Sequence, residues 1–194
     1  ELLETIKKCL ASLFTPRATY YRNKKGFKHE QASLAVVVQK MVDSDKSGVI
    51  FSKDPSTGSE NVIVEAVWGL GEGIVSGRIT PDHYLVSRKS EILEKTLAEK
   101  KIAIIRGPHG GQETVNLKPE RSVQQVLKDH EIIKCAMTAI KLEEHYKKPQ
   151  DIEFAIESDN LYIVQTRPIT TLEKKTQKHE REIKRTVILT GLAA

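Results

Sequence analysis

Four polar side chains near the C-terminal end, Asp151, Glu153, Gln165 and Arg167, have the types and spacing to handle a metal-bound polyphosphate. Two alternating runs, 150–156 and 161–168, flank Ser158-Asp159-Asn160 and predict a β-hairpin. A three-residue loop would set residue 157 against 161, Glu153 against Gln165 and Asp151 against Arg167. All four polar groups then share one face. Ile152, Phe154, Ile156, Tyr162, Val164 and Thr166 share the other, fit for a core. A two-residue loop would slip the pairing by one and part the polar set. Oxygen ligands suit Mg²⁺ and a guanidinium suits phosphate. The same residues also read as an Asp–Arg salt bridge on a solvated face, and pattern alone leaves both readings open.

The elements that must position this hairpin follow from punctuation and periodicity. Residues 1–22 predict one helix, with Leu2, Leu3, Ile6, Leu10 and Leu13 apolar, broken at Asn23-Lys24-Lys25-Gly26. Ala32 to Val42 is an apolar, β-branched run that predicts a buried strand. A turn over Asp43 to Gly48 leads to a short strand, Val49-Ile50-Phe51, and then to the loop Lys53 to Gly58. Further strands are expected over Asn61 to Val67, at Tyr84-Leu85-Val86 and within 91–106. Ser122 and Gln125 form a capping box ahead of a helical stripe through Val123, Val126, Leu127, Ile133, Met137 and Ile140. Strands and helices do not alternate strictly, so the expected class is α+β with a largely antiparallel sheet and packed helices.

Bulk properties narrow the function classes. At 194 residues the chain can bury a core, and 39% apolar with 29% charged residues is ordinary for a globular protein. No run approaches the roughly 18 apolar residues of a membrane span, so no membrane role is expected and a cytoplasmic setting is the default. Six Lys or Arg and three Glu between Glu173 and Arg185 supply three of the five net positive charges. That segment reads as a charged linker or exposed helix. Elsewhere bases interleave with acids and no aromatic-rich basic stretch offers a stacking platform, which argues against nucleic acid. Cys9 and Cys135 lack CxxC spacing and are expected to be reduced core thiols.

Other motifs carry weaker signals. Gly69-Leu70-Gly71-Glu72-Gly73 has the composition of a phosphate cradle but not the spacing of a Walker loop or Rossmann fingerprint, and it reads equally as a tight turn. Glu65 and Glu72 flank it. Gln39-Lys40 interrupts the apolar 36–42 run, as a strand edge facing a nucleotide base would, with Met41 on the base plane, or as a strand merely surfacing. His29, His83, His109, His130 and His145 show no metal-ligand spacing, and no Ser/His/Asp or Cys/His set can be assembled.

Taken in order, Val-Gln-Lys-Met-Val (38–42), Ser-Gly-Val-Ile-Phe-Ser-Lys-Asp-Pro (47–55), Glu-Ala-Val-Trp-Gly-Leu-Gly-Glu-Gly-Ile-Val-Ser-Gly (65–77), Thr-Pro-Asp (80–82) and Asp-Ile-Glu-Phe with Gln-Thr-Arg-Pro (151–168) carry a resemblance. With Ala11 to Phe14 and Arg17-Ala18 it spans about residues 4–170. The chain resembles the ATP-binding region of the pyruvate phosphate dikinase family, and within it the phosphoenolpyruvate synthases. The resemblance implies an ATP-grasp-like half domain over 1–170, the C-terminal part of the nucleotide-binding region, with 171–194 a linker toward a phosphohistidine domain. It implies that Gln39 to Met41 meet adenine and that Glu153 and Gln165 hold Mg²⁺ and phosphate. Arg167 would bind phosphate with Asp151 in support, and Glu65 and Glu72 would add further nucleotide contacts.

The implied partners are the N-terminal ATP-grasp half, the phosphohistidine domain and the pyruvate-binding domain of the same protein. The implied reaction converts ATP, pyruvate and water to phosphoenolpyruvate, AMP and phosphate, with the 194 residues alone expected to be inactive. Other dikinase-like phosphotransferases acting on drugs or glucans, and a non-catalytic binding module, are the alternatives.

Overall fold

The structure is a computed structural model that describes residues 1–108 and 110–169. The segment 171–194, expected to be a linker, and His109 lie outside the described residues. The chain divides after Met41 into two units.

In the first unit the single helix expected over 1–22 is two. Helix α1 spans Leu2–Ala11 and α2 spans Pro16–Lys25, with a 3-10 turn, Ser12–Phe14, between them. Pro16 causes the break. Proline forces Thr15 into an extended conformation (ψ 150°), and the Thr15 hydroxyl then caps α2 by accepting from the Ala18 N–H. Gly26 closes α2 with φ 72°. Cys9, expected in a core, is exposed. The strand expected over Ala32 to Val42 is not formed, and Val37 (81% exposed) and Val38 (62%) face solvent. A strand needs a neighbouring strand for its N–H and C=O groups as well as β-branched side chains, and among the described residues no strand is paired with this run.

The second unit is built on a six-stranded, wholly antiparallel sheet, the α+β architecture expected. Its strands are β1 (Lys46–Phe51), β2 (Val62–Trp68), β3 (Asp82–Val86), β4 (Ile92–Thr96), β7 (Gln150–Glu157) and β8 (Asn160–Pro168), in the order β4-β3-β2-β1-β7-β8. A two-stranded sheet, β5 (Ile102–Arg106) with β6 (Gln112–Asn116), lies beside it. Strand β1 begins three residues earlier than Val49. It therefore takes in Gly48, where a Cβ would stand 1.9 Å from the Glu65 carbonyl oxygen.

One face of the large sheet is closed. Ile50, Val62, Val64, Tyr84, Ile152, Phe154 and Ile156 point to it and pack against Ile132, Cys135, Ala136 and Ala139 of helix α5 (Asp129–Tyr146). Each large apolar side chain so buried stabilises the fold by about 1.5–3 kcal/mol. Burial, with the Glu131 carboxylate adding to it, pushes the Cys135 thiol up to about 12. The helix expected from Ser122 starts seven residues later. Ser122 instead ends a single turn, α4 (Pro119–Ser122), after α3 (Glu72–Val75) earlier in the chain. The backbone at 126–127 is held elsewhere, its N–H groups donating to Asp82 Oδ2 (2.9 Å) and Tyr84 Oη (3.3 Å). Helix α5 is then capped by the Glu131 carboxylate, which accepts from the Lys128 N–H at 2.6 Å.

The glycine-rich segment after β2 serves packing. Gly69 has φ 77°, and a Cβ there would come within 2.2 Å of the Ile104 carbonyl oxygen, which accepts from the Leu70 N–H at 2.7 Å. That approach assembles a second small core of Val67, Leu70, Ile79 and Ile104.

Candidate functional site

The hairpin β7–β8 pairs Glu153 with Gln165 and Asp151 with Arg167, as expected, but by a different route. The loop is two residues, Ser158-Asp159, both with positive φ (49° and 65°), so Glu157 faces Asn160. A bulge after Glu153 then inserts one extra residue, Val164, and restores the expected register at the far end. The correction falls on the apolar set. Leu161 and Ile163, opposite Ile156 and Phe154, pack toward the closed face, whereas Tyr162 (41% exposed) and Val164 (40%) do not. Burial still decides the outcome: the bulge keeps both the apolar pairs and the polar pairs on their own sides.

Pairing extends this polar patch across the sheet. Val49 stands between Glu65 of β2 and Glu153 of β7, and Glu65 in turn pairs with His83 of β3. A cross-strand row therefore runs Gln165, Glu153, Val49, Glu65, His83, Thr96, all on the face away from α5. His83 Nδ1 lies 3.5 Å from Glu65 Oε1. In the next row the Arg167 Nε–H donates to Asp151 Oδ2 at 2.8 Å. Asp151 is largely covered and Arg167 exposed, so the carboxylate takes one edge of the guanidinium and leaves its terminal amino groups for other acceptors.

Glu65 thus joins the hairpin residues and Glu72 does not. Glu72 is exposed at the start of α3, beyond the end of β2. Gln39 and Met41 belong to the first unit, both exposed and outside any strand. His83 was not singled out by spacing. Its signal is alternation with the buried Tyr84, and its neighbour Glu65 is legible once β2 and β3 are paired.

A family model described as the AMP/ATP-binding domain of pyruvate phosphate dikinase matches residues 1–187. The chain belongs to that family. It is 50% identical, over its whole length, to a probable phosphoenolpyruvate synthase of Archaeoglobus fulgidus, covering 26% of that protein. It is 47% identical to the phosphoenolpyruvate synthase of Pyrococcus furiosus, covering 25% of it. Rifampicin phosphotransferase of Bacillus cereus is 45% identical over 172 residues, 88% of this chain and 20% of that protein. The chain therefore spans about a quarter of the length of the synthases it matches. Among the described residues no helix is long and apolar enough to cross a membrane.

The donors of this AMP/ATP-binding domain fit a hard cation shared with phosphate. Glu153 and Gln165 offer a carboxylate and an amide oxygen from directly paired positions, the oxygen chemistry Mg²⁺ takes. Among the described residues no group of three or more His, Cys, Asp or Glu is placed to hold a metal ion. Mg²⁺ commonly takes one or two protein oxygens and completes its shell with water and phosphate.

Proposed function

We propose that the chain is the C-terminal part of the ATP-grasp nucleotide site of a phosphoenolpyruvate synthase, and that the face carrying Glu153, Gln165, Asp151 and Arg167 receives the ATP polyphosphate. The observation that supports this most is the bulged hairpin, which spends an extra residue to keep those four side chains on one face. Glu153 and Gln165 would hold Mg²⁺, which supplies neutralisation of phosphate charge. Arg167 would bind phosphate oxygens through its terminal amino groups, and Asp151 fixes its plane through Nε. Glu65, in the same row as Glu153, would add a second carboxylate to the nucleotide site, and Gln39, Met41 and Glu72 would serve the rest of it.

Such a site works by positioning and charge neutralisation and needs no local nucleophile. The full-length protein would pass the β-phosphate of ATP to a histidine of another domain and on to pyruvate. Water, ATP and pyruvate would then yield phosphoenolpyruvate, AMP and phosphate in the cytoplasm. Identity over the whole chain favours the synthase reading over a drug phosphotransferase, whose match leaves 12% of the chain uncovered (100% less the 88% matched).

The test is a product assay on the full-length protein with ATP, Mg²⁺ and pyruvate. Phosphoenolpyruvate and AMP in equal amounts are expected, and their loss in Glu153→Gln. AMP formed with rifampicin but not with pyruvate would move the assignment to the phosphotransferases. No AMP with either would overturn the ATP-cleaving reading.

A further inference from the structure

Among the described residues of the first unit, one is buried, and it is an arginine. Arg22, in α2, is 9% exposed. A buried guanidinium normally has a carboxylate beside it, because an unpaired charge out of water costs several kcal/mol. Arg22 has neutral partners instead. Its Nε–H donates to His29 Nδ1 at 3.0 Å, and Nη2 reaches Thr19 Oγ1 at 3.5 Å, the limit of a hydrogen bond. His29 Nε2 faces Asn23 Oδ1 at 2.8 Å, so the ring keeps its proton there and offers Arg22 a lone pair without charge. Among the described residues no carboxylate forms an ion pair with Arg22.

Arg22 lines a cavity of about 500 Å³ within this unit. Lys28, a second cationic residue, lines it too, as do Ser33 and the apolar residues Leu13, Tyr21 and Phe27. Tyr21 and Phe27 are more than half exposed, so their rings stand at an open rim. The volume falls within the range of small-molecule sites, which combine mostly apolar walls with a few polar anchors. Two cations, no pairing carboxylate among the described residues and an aromatic rim together define the complement: a negative group on an apolar body.

We propose that this cavity binds a small organic anion, a carboxylate or phosphate on an aromatic or aliphatic body, with Arg22 gripping the anionic group. Arg22 donates through the guanidinium hydrogens that His29 and Thr19 leave free, Lys28 adds charge at the mouth, and the rings of Tyr21 and Phe27 cover the body. This site is independent of the polyphosphate face proposed above and takes a different class of ligand.

Calorimetric titration of phenyl phosphate into the full-length protein tests it, with benzyl alcohol as the neutral probe. Saturable binding of phenyl phosphate and none of benzyl alcohol is expected. Arg22→Gln should weaken binding at least about tenfold, since charge-assisted hydrogen bonds are the strong ones, and Arg22→Lys should recover part of the loss. Lys28→Gln, at an exposed position that cannot threaten the fold, should weaken it roughly two- to fivefold. Absence of saturable binding would mean that the full-length protein serves Arg22 with an acid of its own, and would overturn the proposal. Equal binding of benzyl alcohol, indifference to Lys28→Gln, or displacement by MgATP would overturn it as well. Loss of ATP cleavage in Glu153→Gln reads the polyphosphate face separately, so the two ideas fail independently.

Discussion

Asp82 and Glu153 are carboxylates of the same six-stranded sheet, one on each face, and they live by opposite rules. Asp82 is fully buried on the face covered by α5, and all its bonding capacity is used. Oδ1 takes the Lys100 ammonium and the Ala98 N–H (2.9 Å), and Oδ2 takes the Tyr84 hydroxyl (3.0 Å) and the Val126 N–H (2.9 Å). Lys100 is buried with it, and burial together with the Asp82 carboxylate raises the Tyr84 phenol far above its usual range. This knot ties β3 to the approach to β5 and to the backbone before α5. Glu153 sits in a partly open row with Gln165 and Glu65, and among the described residues no hydrogen bond or ion pair holds its carboxylate. A fully satisfied acid fixes the fold, whereas the acid on the open face is the one we propose to serve a ligand.

Breaking the closed side should produce the largest effect. Asp82→Ala strands a buried ammonium and should cost about 3–5 kcal/mol in urea denaturation, with Asp82→Ala combined with Lys100→Met recovering most of it. A cost below about 1 kcal/mol would show that the knot does not hold the closed face.

On the open side the expected pattern reverses. Glu153→Gln should lower ATP cleavage by the full-length protein about 10²–10³-fold while leaving stability within about 0.5 kcal/mol. Arg167→Lys should lose activity too, because an ammonium cannot grip Asp151 and phosphate in one plane. Normal turnover with reduced stability in Glu153→Gln would make it a structural residue like Asp82.

A smaller effect concerns a third carboxylate. Asp54, in the loop between β1 and β2, is buried, which raises its pKa. Hydrogen bonds from the Ser56 and Thr57 hydroxyls and N–H groups outweigh that and hold it well below the usual carboxylate range. Below its ordinary value of 3.8 the unfolded chain binds a proton that the folded protein refuses, so stability falls as pH falls. Asp54→Ala should cost about 1–2 kcal/mol at pH 7, shrinking as pH drops below about 4, in denaturation curves taken across pH. A constant difference down to pH 2 would assign the cost to lost packing.

The smallest change sharpens the account of the hairpin. Ser158 holds φ 49°, and its side chain makes no hydrogen bond among the described residues. Ser158→Gly relieves a left-handed cost of about 1–2 kcal/mol. It adds a backbone-entropy cost of about 0.5–1 kcal/mol, so a net stabilisation of up to roughly 1 kcal/mol is expected in thermal unfolding, with no change in ATP cleavage. Destabilisation would mean that the two-residue turn does not set the register.

Much of this was legible in the residues. Alternation in β7, the antiparallel α+β class and the pairs Glu153–Gln165 and Asp151–Arg167 were expected from local pattern, because a strand with one buried face has a period that sequence records, although the pairs are reached through a bulge that pattern does not show. The family resemblance, resting on five motifs in order, was legible for the same local reason. The 32–42 run was misread because β-branching is local and strand pairing is not. The first helix was misread through Pro16, a local signal that settles the break once it is weighed. The start of α5 could not be read at Ser122, since Asp82 and Tyr84, some forty residues earlier, claim the backbone there. The bulge at Val164, the row joining Glu65 and His83 to Glu153, and the burial of Arg22 without a carboxylate among the described residues were decided by tertiary structure alone. Each depends on which strands or helices become neighbours, and that is fixed by burying one continuous apolar face rather than by any residue's own preference.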